Sequence, residues 1–153
     1  MEIKLATNED ISQIEVLYEE LFMKMSQFEP KYLQPAKQDV TFIKQTINNK
    51  DSDIIIASID NCIVAFLLIQ ALNTPPYTCL VKHKYAFITD IIVGHNYQSQ
   101  GIGSALLVEA KKWAQDRKLN YLELSVLSEN VGASLLYEKQ GFKEVSKIMR
   151  YEL

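Results

Sequence analysis

One segment, residues 85–117, constrains this chain more than any other. Residues 85–93 are rich in β-branched and aromatic side chains, which favours a largely buried strand. Residues 104–117 place Leu106, Leu107, Ala110, Trp113 and Ala114 on one broad apolar helical face. Between them lie Gly94, Gly101 and Gly103, so the segment is a strand, a glycine-bearing turn and a helix that packs back on the sheet. All five glycines (94, 101, 103, 132 and 141) follow Val93, and all four prolines (30, 35, 75 and 76) precede it. Glycine allows sharp turns and close backbone approach, so the special backbone geometry, and with it the chemistry, is expected in the C-terminal half.

The rest of the chain fills in around this segment. Residues 2–6 alternate like a short strand, and Thr7 with Asp10 forms a weak capping box. Ile11, Ile14, Tyr18, Leu21 and Met25 then follow helical spacing. Pro30 and Pro35 make residues 26–37 a loop, and a second short helix is expected over 39–47. Residues 52–59 and 62–72 form a hairpin about Asp60-Asn61, and Pro75-Pro76 breaks the chain again. A strand over 121–127, a helix over 132–139 ended by Gly141, and a last strand over 142–151 complete the prediction. Antiparallel strands followed by strands alternating with helices predict a mixed α/β fold: one twisted, mostly antiparallel sheet with helices on both faces, spanning residues 1–153 as a single domain.

Composition narrows the function. With 48% hydrophobic and 23% charged residues over 153 positions, the chain can build a core without disulfides or metal. Sixteen basic against 19 acidic residues give a net charge of -3, which argues against nucleic acid as partner. The longest apolar run, 62–69, is too short to span a membrane, and the first residues lack a leader pattern; a cytoplasmic protein is expected. Cys62 and Cys79 form no ligand-spaced pair and read as free thiols, and no metal is expected. His83 and His95 read as loop residues outside any triad.

A turn that opens onto a helix N-terminus gathers unpaired N–H donors and the positive end of the helix dipole, a setting for phosphate. A P-loop needs Lys then Ser or Thr after its last glycine, and Gly103 is followed by Ser104-Ala105. A dinucleotide fingerprint needs glycine where Leu106 stands, although Glu123 has a suitable spacing for a ribose contact. A plain helix-capping glycine turn also fits.

Gln98-Ser99-Gln100-Gly101-Ile102-Gly103 resembles the Arg/Gln-x-x-Gly-x-Gly/Ala signature of the GNAT superfamily of N-acetyltransferases. Asn130, Ala133, Tyr137, Gly141 and Phe142 resemble its downstream pattern, and the order of elements agrees along essentially the whole chain. The resemblance implies acetyl-CoA as donor and an amine as acceptor, joined by direct transfer in a ternary complex. It implies that the amides of Gln98, Ser99, Gln100, Gly101, Ile102, Gly103 and Ser104 hold the pyrophosphate. Ile91, Ile92 and Val93 would offer backbone groups to the pantetheine arm, with Val93 N–H polarising the thioester oxygen. Gln98, Ser99 and Gln100 stand where many relatives carry Arg or Lys, so backbone donors must supply most of the grip.

Tyr137 matches the family tyrosine that protonates the departing thiolate; its alternative role is core packing. Asp90 matches an acidic position of many relatives and is either the base, directly or through water, or a structural carboxylate. In several relatives the base stands one residue earlier, where this chain has Thr89. Asn130 would bond the pantetheine arm, cap a helix, or both; Ala133 lies beside the cofactor in the same pattern. Phe28, Tyr32 and Tyr77, in the proline-bearing segments, are candidates for the acceptor pocket. A homodimer is compatible with the resemblance. The alternative reading is a non-catalytic acyl-CoA-binding or sensing domain, kept open by Thr89.

Overall fold

The computed structural model describes residues 1–153. In chain order the elements are β1 (Glu2–Leu5), α1 (Ile11–Phe28), α2 (Val40–Asn48), β2 (Ser52–Ile59), β3 (Cys62–Asn73), β4 (Lys84–Val93), α3 (Ile102–Asp116), β5 (Leu122–Leu124) and α4 (Val131–Lys139). Single 3-10 turns at Asn8–Asp10 and His95–Tyr97 lead into α1 and the glycine turn. The strands form one sheet in sequence order, antiparallel from β1 to β4 and parallel between β4 and β5.

Both faces of the sheet are covered, which explains why β2 and β3 read as continuous apolar runs. Ile54, Ile56, Phe66 and Leu68 face α1 and α2, against Ile14, Leu17, Tyr18 and Ile43. Ile55, Ala57, Leu67 and Ile69 face α3, against Leu106, Leu107, Ala110 and Trp113. The hairpin turns on Asp60 and Asn61 with φ of 49° and 64°, the left-handed pair that matches strand twist. Thr7 N–H donates to the Asp10 carboxylate at 2.8 Å, and Asp39 caps α2 by accepting from Thr41 N–H at 2.8 Å.

A bulge in β4 positions the site. Leu68 pairs with Asp90 and Ile69 with Ile88, so Thr89 is the extra residue. Strand side chains alternate between faces, and the extra residue resets the count. Ile88 packs on the α3 face, whereas Ile92 packs on the α1 face.

The sequence expectation fails in three places. Helix α1 continues to Phe28, so residues 26–28 are helical, with Ser26 donating to the Met23 carbonyl at 2.7 Å. The strand expected over 121–127 shrinks to Leu122–Leu124, because β4 offers partners only at Ala86, Phe87 and Ile88. The final strand expected over 142–151 is not formed: the chain after α4 carries no strand, and residues 143–153 make no backbone–backbone hydrogen bond.

Candidate active site

β5 pairs along its whole length, but only with the first half of β4. Their pairing ends at Ile88 and Leu124, while β3 stays paired with β4 as far as Val93. Residues 89–93 therefore have a strand on one side and a gap on the other. Gly94 N–H donates to the Val64 carbonyl of β3 at 2.8 Å. The alternation of an antiparallel ladder turns the N–H and C=O of Val93 the opposite way, into the gap. There the Val93 carbonyl accepts from Gln98 Nε2 at 3.1 Å.

Beyond the gap comes the turn. None of the amides from Gln98 to Ser104 donates to any backbone or side-chain acceptor, which leaves seven consecutive N–H groups free at the start of α3. Orphan donors of this kind, with the helix dipole behind them, favour an anion. No Lys or Arg lies between Gly94 and Ala110 to add charge.

The two turn glycines are there for different reasons. Gly101 has φ +82° and a Cβ on it would meet nothing within 4 Å, so the backbone conformation alone requires glycine. A Cβ on Gly103 would lie 3.1 Å from Leu136 Cδ2 and 3.7 Å from Val93 Cγ2. Gly103 therefore lets α3 sit close to α4 and the end of β4.

Tyr137, on α4, has a buried ring edge-on to Phe142 at 5.9 Å between centroids. Burial pushes its hydroxyl up to about 12, so it stays protonated at neutral pH. That hydroxyl makes no hydrogen bond within the chain, yet no buried side-chain oxygen or nitrogen is left without a partner. It must therefore be reached by solvent, its ring anchored and its polar tip open. Asn130 caps α4, its side-chain oxygen accepting from Ala133 N–H at 3.2 Å, and Ala133 packs half-buried on the α3-face core. The cap uses the Asn130 oxygen and leaves its amide nitrogen for a ligand.

Asp90 looks toward α1. Its Oδ2 accepts from the Tyr18 hydroxyl at 2.8 Å. Burial raises the Asp90 carboxyl above its ordinary range while the Tyr18 bond pulls it back down; burial and Asp90 together raise the Tyr18 phenol well above its own. Thr89 is exposed and its hydroxyl accepts from Gln70 Nε2 at 3.0 Å. The sequence reading treated Tyr18 as helix core and missed this partnership. The signal was available: a tyrosine at a core position needs a partner for its hydroxyl, and Asp90 was the one carboxylate of the strand leading into the glycine turn. Glu20 was also missed; its Oε1 accepts from His95 N–H at 2.6 Å and ties α1 to the start of the turn.

Of the acceptor-pocket candidates, Phe28 is half-buried in the last turn of α1, not in a loop. Tyr32 is exposed, donates to Glu152 Oε1 at 2.5 Å and lies under the Arg150 guanidinium at 3.7 Å. Tyr77 is exposed in the β3–β4 connection. Two surface hollows, about 610 Å³ along α2 and about 240 Å³ between β1 and α3, lie away from the gap and the turn. No helix is long and apolar enough to cross a membrane, and no group of three His, Cys, Asp or Glu side chains is placed to hold a metal ion.

Known proteins resemble this chain in sequence and in fold. An uncharacterized N-acetyltransferase of Methanocaldococcus jannaschii is 26% identical over 142 residues, 93% of this chain and 60% of that protein; the chain thus spans less than two thirds of that relative's length. A streptothricin acetyltransferase of Escherichia coli is 40% identical over 57 residues, 37% of this chain and 33% of that protein. The solved structure of a tetramutant of the BH1408 protein of Bacillus halodurans superposes over all of both chains with a TM-score of 0.93 at 18% identity, a likeness of fold. The Acetyltransferase (GNAT) family matches residues 14–142, from the first helix through the splayed strands and the free-amide turn to Phe142. The span of that match covers most of the chain and both of its signature segments, and the chain belongs to the GNAT acetyltransferase family.

Proposed function

We propose that the chain transfers an acetyl group from acetyl-CoA to a primary amine, directly, with both substrates bound together. The observation that carries this reading is the run of seven free amides between Gln98 and Ser104, set beside a β4 end whose outer edge has no strand partner. The amides suit a pyrophosphate held without basic side chains, and the unpaired β4 edge suits an extended amide-bearing arm that bonds as an added strand would.

The chemistry needs three proton and charge events. An alkylamine with a pKa of about 10 arrives charged and must lose a proton before its nitrogen attacks the thioester carbon. Negative charge then builds on the thioester oxygen, where Val93 N–H, facing the gap, is the donor. As the C–N bond forms and the C–S bond breaks, Tyr137 passes its hydroxyl proton to the sulfur, and the second proton shed by the acylated nitrogen restores the phenol through solvent; a hydroxyl held near 12 retains its proton until a thiolate is generated beside it. The Asp90 oxygen not bonded to Tyr18, directly or through water, takes the amine proton, and its raised pKa makes it a better base than an ordinary carboxylate.

One observation favours a second reading, an acyl-CoA-binding domain without turnover: Asp90 Oδ2 and the Thr89 hydroxyl are already engaged, by Tyr18 and Gln70. Calorimetry with coenzyme A, followed by thiol release from acetyl-CoA across a panel of amines, separates the outcomes. Binding with amine-dependent thiol release supports the transferase, and binding without release from any amine supports the sensor. No heat with coenzyme A sinks both.

A further inference from the structure

The α1 side of the sheet extends beyond the helices that cover it. Ala86 and Ile88 of β4, with Leu122 and Leu124 of β5, turn to the α3 core, so alternation along the strands sends Tyr85, Phe87, Tyr121 and Glu123 to the opposite face. On that face the core beneath α1 and α2 takes Ile92 from β4 and nothing from β5. The parallel register sets Phe87 beside Glu123 and, one step before Ala86 and Leu122, Tyr85 beside Tyr121. The two tyrosine rings stack with centroids 4.9 Å apart and planes 13° from parallel, and the His83 ring stands edge-on to Tyr121 at 5.8 Å.

Glu123 is the member of this group that the chain does not explain. It is half-buried on an aromatic surface, yet it pairs with no Lys, Arg or His; the five ion pairs of the chain all lie elsewhere. Its charge is felt by Tyr121, whose phenol is pushed above its ordinary value by partial burial first, then by Glu123 and Tyr85. A carboxylate drawn partly out of water without a counter-charge costs free energy, and tyrosine faces beside it attract a cation. An ammonium group meets both conditions.

The same face leads to the reaction centre. Asp90 also turns to the α1 side, where it meets Tyr18. With strands about 4.8 Å apart and a rise of about 3.3 Å per residue, the register from Phe87 onward puts Glu123 roughly 10 Å from Asp90 and roughly 18 Å from Val93. We propose that Tyr85, Tyr121 and Glu123 form a distal ammonium subsite, and that the acceptor is a polyamine whose second charged nitrogen lies about 10 Å or more from the one acetylated. The acceptor role rests on the transfer reading above, whereas the subsite itself is tested without turnover.

Two measurements keep these apart. In the first, spermidine is added to the free chain and the ring resonances of labelled tyrosine are followed by NMR. The Tyr85 and Tyr121 signals are expected to shift; Glu123→Gln, which keeps the shape and removes the charge, should weaken the midpoint about tenfold, and Glu144→Gln, at an exposed pair with Lys147, should leave it in place. Spermidine that moves neither ring, or moves both equally well in Glu123→Gln, overturns the subsite whatever the chain catalyses. In the second, thiol release from acetyl-CoA is compared between spermidine and 1,4-diaminobutane, which is too short to reach both places. The ratio of their kcat/KM values is expected to be about 10 or more and to fall most of the way to unity in both Glu123→Gln and Tyr121→Leu. Equal values for the two amines, or a ratio that survives both variants, overturns the selection by length. Ring shifts that depend on Glu123 without thiol release from any amine support the subsite and overturn the transfer reading together with the acceptor role.

Discussion

Tyr18→Phe isolates one bond at the centre of the site. The phenyl ring retains the packing of Tyr18 on Phe66 and Phe22, whose centroids lie 4.6 and 5.4 Å away, and the 2.8 Å bond to Asp90 is lost. A hydrogen bond to a charged group contributes about 1.5–3 kcal/mol, so the variant should lose about 2 kcal/mol at pH 8 and melt roughly 4–8 °C lower for a chain of this size. The pH dependence has a definite sign. Because burial raises the folded-state pKa of Asp90 above its unfolded value, ionised Asp90 opposes folding, and stability falls as pH rises through that folded value. The Tyr18 bond limits this loss by favouring the carboxylate. Removing it moves the Asp90 pKa further up, so the penalty is largest where Asp90 is ionised in the folded chain and shrinks to about 1 kcal/mol as pH falls and Asp90 takes up its proton. Asp90→Asn should go the other way: it keeps an oxygen acceptor for Tyr18 and deletes the buried charge, so stability at pH 8 should hold or rise. Urea titrations of the parent, both single variants and the double variant at pH 4 and pH 8 measure all of these terms. An equal penalty for Tyr18→Phe at both pH values, together with a loss above about 1 kcal/mol for Asp90→Asn at pH 8, would refute the account of a desolvated carboxylate supported by one phenol.

Two further outcomes follow from the turn and the acid. Tyr137→Phe removes a hydroxyl with no partner in the chain, so stability should change by less than about 0.5 kcal/mol and coenzyme A binding should hold, while turnover falls about 100-fold or more; equal losses in binding and turnover would remove Tyr137 from the acid role. Gly101→Ala forces a Cβ onto a backbone at φ +82° without any clash, so strain of about 1–2 kcal/mol should appear in chemical denaturation, with coenzyme A affinity several-fold weaker as the amides lose their aim.

How far the sequence could be read depended on how local each determinant was. The Asp60-Asn61 turn, the Asn130 cap and the Gly141 stop, at φ +88°, were legible because each depends on a few neighbouring residues. The two-faced core was legible because the middles of β2 (54–57) and β3 (63–69) lack polar residues on either side. The bulge at Thr89 was not, since a one-residue slip between β3 and β4 is a property of their pairing and leaves no mark in composition. That slip turns Asp90 toward Tyr18, and so the role of the carboxylate was left open between base and structural partner. Gly103 shows the same limit: a ligand-facing glycine and a packing glycine look alike until Leu136 is seen 3.1 Å from the absent Cβ.

The tail poses the opposite problem, since a segment with strand composition has no strand structure. Strand propensity reports fitness for a pleated, half-buried surface, and that surface must be supplied by a neighbouring strand. Within one chain, residues 143–153 find no such neighbour, although β5 shows an open edge and the tail's end is fixed by Glu29, Lys31 and Tyr32 on the α1 side. The discrepancy between composition and structure is therefore informative in itself. The strand expected over residues 142–151 therefore fails for want of a neighbouring strand and not for want of propensity.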